Sequence, residues 1–247
     1  MRTFFNLILY FTIYSFIGWL CESLYCWFCN RKFTNRGFLN GPFCPIYGFG
    51  ALILIIALSG IDTNYFLVFI LGMLLTSTLE YITSYVMEKI FNARWWDYSN
   101  QKFNIHGRVC LVNSILFGLM SVVFISFIHQ PIEDFVNSIP YNVIRVISII
   151  LAVYFIFDFC ITVISISKFN NKLKKVNALS KLVVCKTEGI SNNTMDELKK
   201  KLDSLLGTHR TSHIRILKAF PKMKSIRYSE TLEKIKVNLF KQYDNEK

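Results

Sequence analysis

The feature that most constrains this chain is a series of apolar blocks, each too long to be a core element of a water-soluble domain. Residues Phe4 to Trp27, Tyr65 to Met87, Val109 to Ile128 and Val143 to Ser167 are dominated by Leu, Ile, Val, Phe and Tyr. A bilayer core about 30 Å thick is crossed by roughly 20 such residues in a helix. Hydrocarbon offers no water to backbone N–H and C=O groups, so a crossing segment must be a helix or part of a closed barrel. The blocks lack the every-other-residue alternation of barrel strands, and the sequence therefore predicts helices. A fifth block, Pro45 to Leu58, is shorter and interrupted by Gly48 and Gly50; its length fits either a crossing or a re-entrant segment. The expected fold class is all-α, a polytopic membrane protein with about five transmembrane helices. With 53% hydrophobic and 18% charged residues, the chain also has too little polar surface to cover such a core in water. The first block exceeds the apolar region of a signal peptide and no small-residue cleavage site follows it, so it is expected to be retained.

Charge divides and orients the chain. Residues 168–247 carry 19 Lys and Arg against 8 acids, whereas residues 1–167 carry 9 against 8. This predicts a transmembrane helical domain over 1–167 and a basic, helical cytoplasmic tail over 168–247. Beside a membrane domain, such a tail is expected to meet anionic lipid and not nucleic acid. Loop 28–44 holds Arg31, Lys32 and Arg36, and loop 88–108 holds Lys89, Arg94, Lys102 and Arg108. Loops 59–64 and 129–142 hold acids but no Lys or Arg. Lys and Arg favour the cytoplasmic side. Five crossings then place the N-terminus outside and both basic loops with the tail inside, in the plasma membrane.

Within the tail, Leu173, Val176, Leu179 and Val183 recur at helical spacing. Thr194 to Glu197 has the form of a capping box, opening a helix through Leu198, Leu202 and Leu205 that Gly207 closes. Ile214 and Leu217 mark a further helix stopped at Pro221, and Ser229 opens a last one through Leu232, Ile235 and Leu239.

Several chemistries find no support. The seven cysteines (Cys21, Cys26, Cys29, Cys44, Cys110, Cys160, Cys185) are odd in number and dispersed, which argues against a disulfide framework. Cys26 and Cys29 form a lone C-x-x-C without a second pair, so no metal site is expected. The sequence contains no G-x-x-x-x-G-K-[ST], G-x-S-x-G or H-E-x-x-H, and no cofactor is implied.

Acids inside the apolar blocks are the first candidates for function, because each is costly at bilayer depth unless sheltered. Glu22 shares a helical face with Ser15 and Gly18, and Glu80 with Thr76, Ser77, Ser84 and Glu88. Asp158 aligns with Tyr154, Thr162 and Ser165, and the fourth block carries Ser114, Gly118 and Ser121 in the same rhythm. Four polar stripes should face one another and not lipid. Two loops add to them. Between Asn35 and Gly48, two prolines and three glycines fix an irregular backbone, with Asn35, Arg36, Asn40 and Tyr47 as donors. After the third block come Trp95-Trp96-Asp97-Tyr98-Ser99 and Asn104-Ile105-His106-Gly107-Arg108. Both loops are expected on the side of Glu22 and Glu80. The candidate site is thus one composite, cytoplasmic-facing polar site of Glu22, Asn35, Arg36, Asn40, Tyr47, Glu80, Glu88, Asp97, Asn104, Arg108 and Asp158, suited to a cation, a proton or a headgroup amine.

These segments also carry a family resemblance. Tyr14-Ser15-Phe16-Ile17-Gly18-Trp19 with Glu22, the run from Asn35 to Pro42, and Cys44-Pro45-Ile46-Tyr47-Gly48 resemble the CmpB-type family of ABC-transporter type IV permeases. Glu80, Glu88, Trp95 to Ser99, Asn104, Gly107 and Arg108 are similar to its second block, and Lys218-Ala219-Phe220-Pro221 with Ser225 to its C-terminal block. The resemblance implies a permease-like transport component. The chain has no nucleotide-binding motif, so an ABC role implies a separate ATPase or other membrane subunit as partner. Two alternatives stay open: a membrane enzyme acting on lipid or a prenyl-linked substrate at the cytoplasmic interface, and a scaffold or sensor working through the tail.

The orientation can be tested directly. Cysteines introduced within the Asn35–Arg36 and Trp95–Ser99 segments of a cysteine-free variant should react with a membrane-impermeant maleimide only after cells are permeabilised. Labelling in intact cells would refute the shared cytoplasmic compartment.

Overall fold

The computed structural model describes residues 2–31, 33–58, 60–61, 64–184, 197–198, 200–202, 204–205 and 211–245. The expected capping residue Thr194 and the closing Gly207 lie outside them. In chain order the elements are α1 (Arg2–Asn30), α2 (Pro45–Leu58), α3 (Tyr65–Phe91), β1 (Ala93–Arg94), β2 (Asn104–Ile105), β3 (Val109–Cys110) and α4 (Leu111–Val123). A π-helical turn (Phe124–His129) comes next, then α5 (Gln130–Ser138), α6 (Tyr141–Val184), α7 (Thr211–Ala219), β4 (Lys224–Ser225) and α8 (Ser229–Asn245). Four helical stretches are long and apolar enough to cross a membrane: Arg2–Cys29, Tyr65–Phe91, Leu111–Ser138 and Tyr141–Val183. Their outer faces are apolar, as at Leu74, Ile82, Leu116, Leu119, Ile150 and Phe157, and suit contact with lipid.

Helices α1 and α3 run a few residues past their expected ends, to Asn30 and Phe91, and three other boundaries differ in ways that shape the fold. The fourth helix begins at Leu111 and not Val109, because Val109 and Cys110 pair with Ile105 and Asn104 in a short antiparallel hairpin. It then continues through the segment expected as loop 129–142, ending at Ser138 ahead of Ile139 and Pro140. Pro131 has no N–H to give to a helical ladder, and the wider π turn lies immediately before it. Finally, α6 does not stop where its composition turns polar near Ser167. No Gly or Pro interrupts Tyr141–Val184, so nothing in the backbone ends the helix.

Residues 1–86 and 96–162 form one compact unit. Inside it, α1 and α2 run antiparallel in close contact. A Cβ on Gly18 would collide with Tyr47, and one on Gly48 with Ser15 and Phe11. The Cys44 N–H donates to the Ser15 carbonyl at 2.9 Å, so α2 starts level with the middle of α1. From Asn30 back to Ser15, α1 rises about 22 Å, and the 14 residues of α2 add about 21 Å. The second pass of the chain is therefore half irregular and half helical, which accounts for the short fifth block. At its far end Leu58 packs with Leu54 and with Val68 of α3.

Irregular backbone at such a depth needs internal hydrogen-bond partners, and Asp158 of α6 provides them. Its Oδ1 accepts from the Asn40 N–H and Nδ2, both at 3.0 Å, and its Oδ2 from the Gly41 N–H at 2.8 Å. Asn40 Nδ2 also reaches Thr162 Oγ1 at 2.9 Å. A side chain at position 41 would meet the Tyr154 hydroxyl, which fits glycine there. Higher in the segment, Asn35 Oδ1 accepts from Trp19 Nε1 and the Gly37 N–H, while its Nδ2 donates to the Asn40 carbonyl.

The polar stripe of α4 faces α3: Ser114 Oγ lies 2.8 Å from Ser77 Oγ, Gly118 lies against Phe69, and Ser121 against Gly72. At the N-terminal end of α1, Arg2 donates to the Asn137 carbonyl at 2.8 Å, and Ser148 Oγ to the Phe5 carbonyl at 3.0 Å. The start of α1 and the α5–α6 connection thus share one end of the unit.

Residues 87–95 and 163–247 form the second unit. The distal part of α6 buries Ile166, Phe169, Leu173 and Val176, α7 buries Ile216, Leu217 and Ala219, and α8 buries Leu232, Ile235 and Leu239. Spacings of three and four place the α6 set and the α8 set each on one helix face. Lys168, Lys174, Lys175 and Lys181 occupy the exposed face of α6. Residues 88–95, expected as part of a loop, belong with Met87 to this unit. Strand β1 pairs antiparallel with β4, Ala93 opposite Ser225. Trp95 meets the Phe220 ring edge-on at 4.8 Å, and Asn170 Nδ2 donates to the Phe91 carbonyl at 2.8 Å.

Asp158→Ala should strip two backbone N–H groups of their acceptor, at about 1–3 kcal/mol each. Its melting temperature in detergent is expected to fall well below that of wild type, with Asp158→Asn intermediate because one acceptor oxygen remains. Equal melting temperatures for Asp158→Ala and wild type would contradict this role.

Candidate functional site

The candidate residues form two groups of contacts within the first unit. The first lies where the irregular segment descends beside α1. Tyr47 Oη donates to Glu22 Oε1 at 2.9 Å, and Arg36 Nε stands 3.6 Å from Glu22 Oε2. Tyr47 comes to lie against α1 at Gly18, one helical turn before Glu22. Both oxygens of this carboxylate thus have a partner. Asn35, Asn40 and Asp158 support the same segment, giving their polar atoms to its backbone and to Trp19.

The second group is built on α3 and the loop after it. Glu80 is buried, with 7% of its surface exposed. Tyr98 Oη donates to Glu80 Oε1 at 3.1 Å, while Oε2 is buried with no hydrogen-bond partner among the described residues. Burial, together with the neighbouring Glu80, holds the Tyr98 hydroxyl well above its ordinary range, so it stays protonated and donates. One turn along α3, Ser84 Oγ accepts from Arg108 Nη1 at 3.5 Å. The Arg108 guanidinium also lies over the rings of Tyr81 and Tyr85, at 5.7 and 5.3 Å, in cation–π geometry.

The loop's other polar residues shape it. Asp97 Oδ1 accepts from the Ser99 N–H at 3.0 Å and from Ser99 Oγ. Asn104 Nδ2 donates to the Gln101 carbonyl at 2.7 Å, and its Oδ1 accepts from the Gly107 N–H at 2.9 Å. Trp96 Nε1 donates to the Arg108 carbonyl at 3.1 Å, fixing the backbone of the arginine that reaches Ser84. His106 Nδ1 lies 3.1 Å from the Tyr81 hydroxyl.

The expected composite site is thus distributed. Glu22, Arg36 and Tyr47 meet, as do Asn40 and Asp158, and Asn35 braces the same loop. Glu80 and Arg108 share one stretch of α3, with Asp97 and Asn104 forming the loop above it. Glu88 pairs with Arg94 Nε at 3.3 Å in the second unit. Tyr98, Thr162 and Trp19 contribute hydrogen bonds that the candidate set omits. Tyr98 stood inside the Trp-Trp-Asp-Tyr-Ser run, but its role derives from Glu80, 18 residues earlier, a pairing that helical spacing cannot reveal. Among the described residues, no cluster of three or more His, Cys, Asp or Glu could hold a metal ion.

No curated protein and no solved structure matches this chain. A family model described as "Putative ABC-transporter type IV" matches residues 9–163. That stretch includes Glu22, the irregular segment, Glu80 with its loop, and Asp158 with Thr162. It covers more than half of the 247 residues, and the chain belongs to this family, the CmpB-type ABC-transporter type IV group.

Proposed function

We propose that this protein is the membrane-embedded, permease-like component of a transport system, with Glu80 as the acid that receives a cation or a proton. The observation that carries this reading is the Glu80 carboxylate, buried in an apolar helix with one oxygen unpartnered among the described residues. Buried polar atoms are nearly always paired, and an intramembrane acid is retained at a cost. An exchangeable partner for that oxygen accounts for both facts. Family membership supports transport as the class of function.

Glu22, with Tyr47 and Arg36 on its two oxygens, is the second acidic element on the proposed path. Arg36 turned to Glu22, and Arg108 turned to Ser84 and two tyrosines, favour transport over an enzyme that would need those arginines for a phosphate. The energy source in this reading is a separate ATPase subunit. The exposed lysines of the second unit face anionic lipid at the cytoplasmic surface of the plasma membrane.

Two measurements test the proposal. In a strain lacking the protein, the ion and metabolite uptake defect should be restored by wild type and by Lys174→Ala. Glu80→Gln, inserted at equal level, should restore about tenfold less, as for ~1.4 kcal/mol lost from a binding step. Full restoration by Glu80→Gln would remove the acid from the mechanism. In mild detergent the tagged protein should co-purify with an ATPase subunit; recovery as a monodisperse, partner-free species would count against the ABC reading.

A further inference from the structure

Between α4 and α5 the chain forms a π-helical turn over Phe124–His129, a geometry that is rare and often placed at functional positions. Each residue added to a helical turn rotates the remainder of the helix by about 100°. Ahead of the turn, Ser114, Gly118 and Ser121 face α3. Beyond it, Ile128, Ile132 and Val136 pack with Leu9, Tyr10 and Tyr14 of α1. The change of face brings His129, absent from the candidate set, against α1.

His129 Nδ1 lies 2.8 Å from the Tyr14 hydroxyl, and its Nε2 lies 3.7 Å from Glu133 Oε2. Tyr10 meets the imidazole edge-on at 5.5 Å, and Phe124 stacks on it at 5.9 Å. The His129 side chain is 14% exposed and that of Glu133 41%, so Glu133 connects the imidazole to the surroundings. The other elements of this cluster contribute apolar side chains: Ala51, Leu52 and Ile55 from α2, Ile144 and Leu151 from α6. Among the described residues, the other charged groups toward this end are Asp134, which accepts from Gln130 Nε2 at 3.1 Å, Arg2, turned to the Asn137 and Ile139 carbonyls, and Arg145, exposed on α6 beside Ile144.

We propose that His129, held between Tyr14 and Glu133 at the π turn, is a proton-binding site separate from the Glu22 and Glu80 groups. In the neutral form Nδ1 accepts the Tyr14 hydroxyl hydrogen and Nε2–H points at Glu133. An incoming proton takes the Nδ1 lone pair, and the imidazolium pairs with the Glu133 carboxylate. Tyr14 must then accept at its oxygen and turn its own hydrogen elsewhere. One proton is bound, no covalent bond to carbon changes, and the α1 contact switches from donor to acceptor. The proposal stands on this geometry alone and does not depend on the transport reading.

The test uses the full chain in nanodiscs, with 13C-labelled histidine and tyrosine followed by NMR across pH, and His129→Gln to assign the resonance. On lowering the pH to about 4.5 the His129 ring should take up its proton, and the Tyr14 Cζ resonance should move with the same midpoint. Glu133→Gln, a near-isosteric change at a half-exposed position, should lower that midpoint by about 0.5 unit or more, because an anion that favours the imidazolium is gone. An imidazole that stays neutral down to about pH 4.5, a midpoint unchanged in Glu133→Gln, or a Tyr14 resonance indifferent to pH would each overturn the proposal.

Discussion

The first unit depends on one constraint: peptide groups inside hydrocarbon must find partners within the chain. Four long helices satisfy it by themselves. The segment ahead of α2 does not, and a single carboxylate, Asp158, accepts the backbone N–H groups of Asn40 and Gly41 together with the Asn40 amide. An acid that looks like an active-site residue in the sequence is thereby occupied in holding a loop. The composition of 35–48 reflects the same constraint. Asparagines supply side-chain groups where the backbone lacks partners, and glycine at 41 and 48 admits Tyr154, Ser15 and Phe11.

With Asp158 engaged, the remaining acids of the unit differ in how fully they are satisfied. Glu22 has a phenol on one oxygen and a guanidinium near the other. Glu80 has Tyr98 on one oxygen, and its second oxygen is buried without a hydrogen-bond partner among the described residues. Fully partnered and half-satisfied carboxylates carry different energetic consequences: the first resist change, whereas the second gain from any donor that arrives. The contacts around α1 and α2 are thus the more fully satisfied of the two, and those of the acid on α3 the less.

Much of the fold was legible because hydrophobic block length and helical spacing are direct physical signals. The four long helices and the facing of Ser114 onto Ser77 derive from them. The irregular half-pass was visible only as an ambiguity, because a window of apolar residues measures length and not the level at which a helix starts. The π turn left no periodic trace, and His129 was missed with it. The candidate acids were recognised by residue type and face, yet their division into separate groups depends on depth and azimuth, which one-dimensional spacing does not encode. Glu88 illustrates the limit: one face of α3 carries it in line with Glu80, but eight residues of helix place it about 12 Å further along, beside Arg94.

The pairing of Ala93–Arg94 with Lys224–Ser225 has a bearing on biogenesis. The two strands are separated by about 130 residues of chain, and at ribosomal speeds of roughly 5–20 residues per second the second emerges roughly 7–26 s after the first. During that interval the short segment after α3 has no strand to pair with, and Trp95 lacks the Phe220 ring it will later cover. Assembly of the second unit is consequently a late event in synthesis, and a ribosome that stalls before codon 224 would release a chain whose helices are inserted but whose basic unit is unclosed.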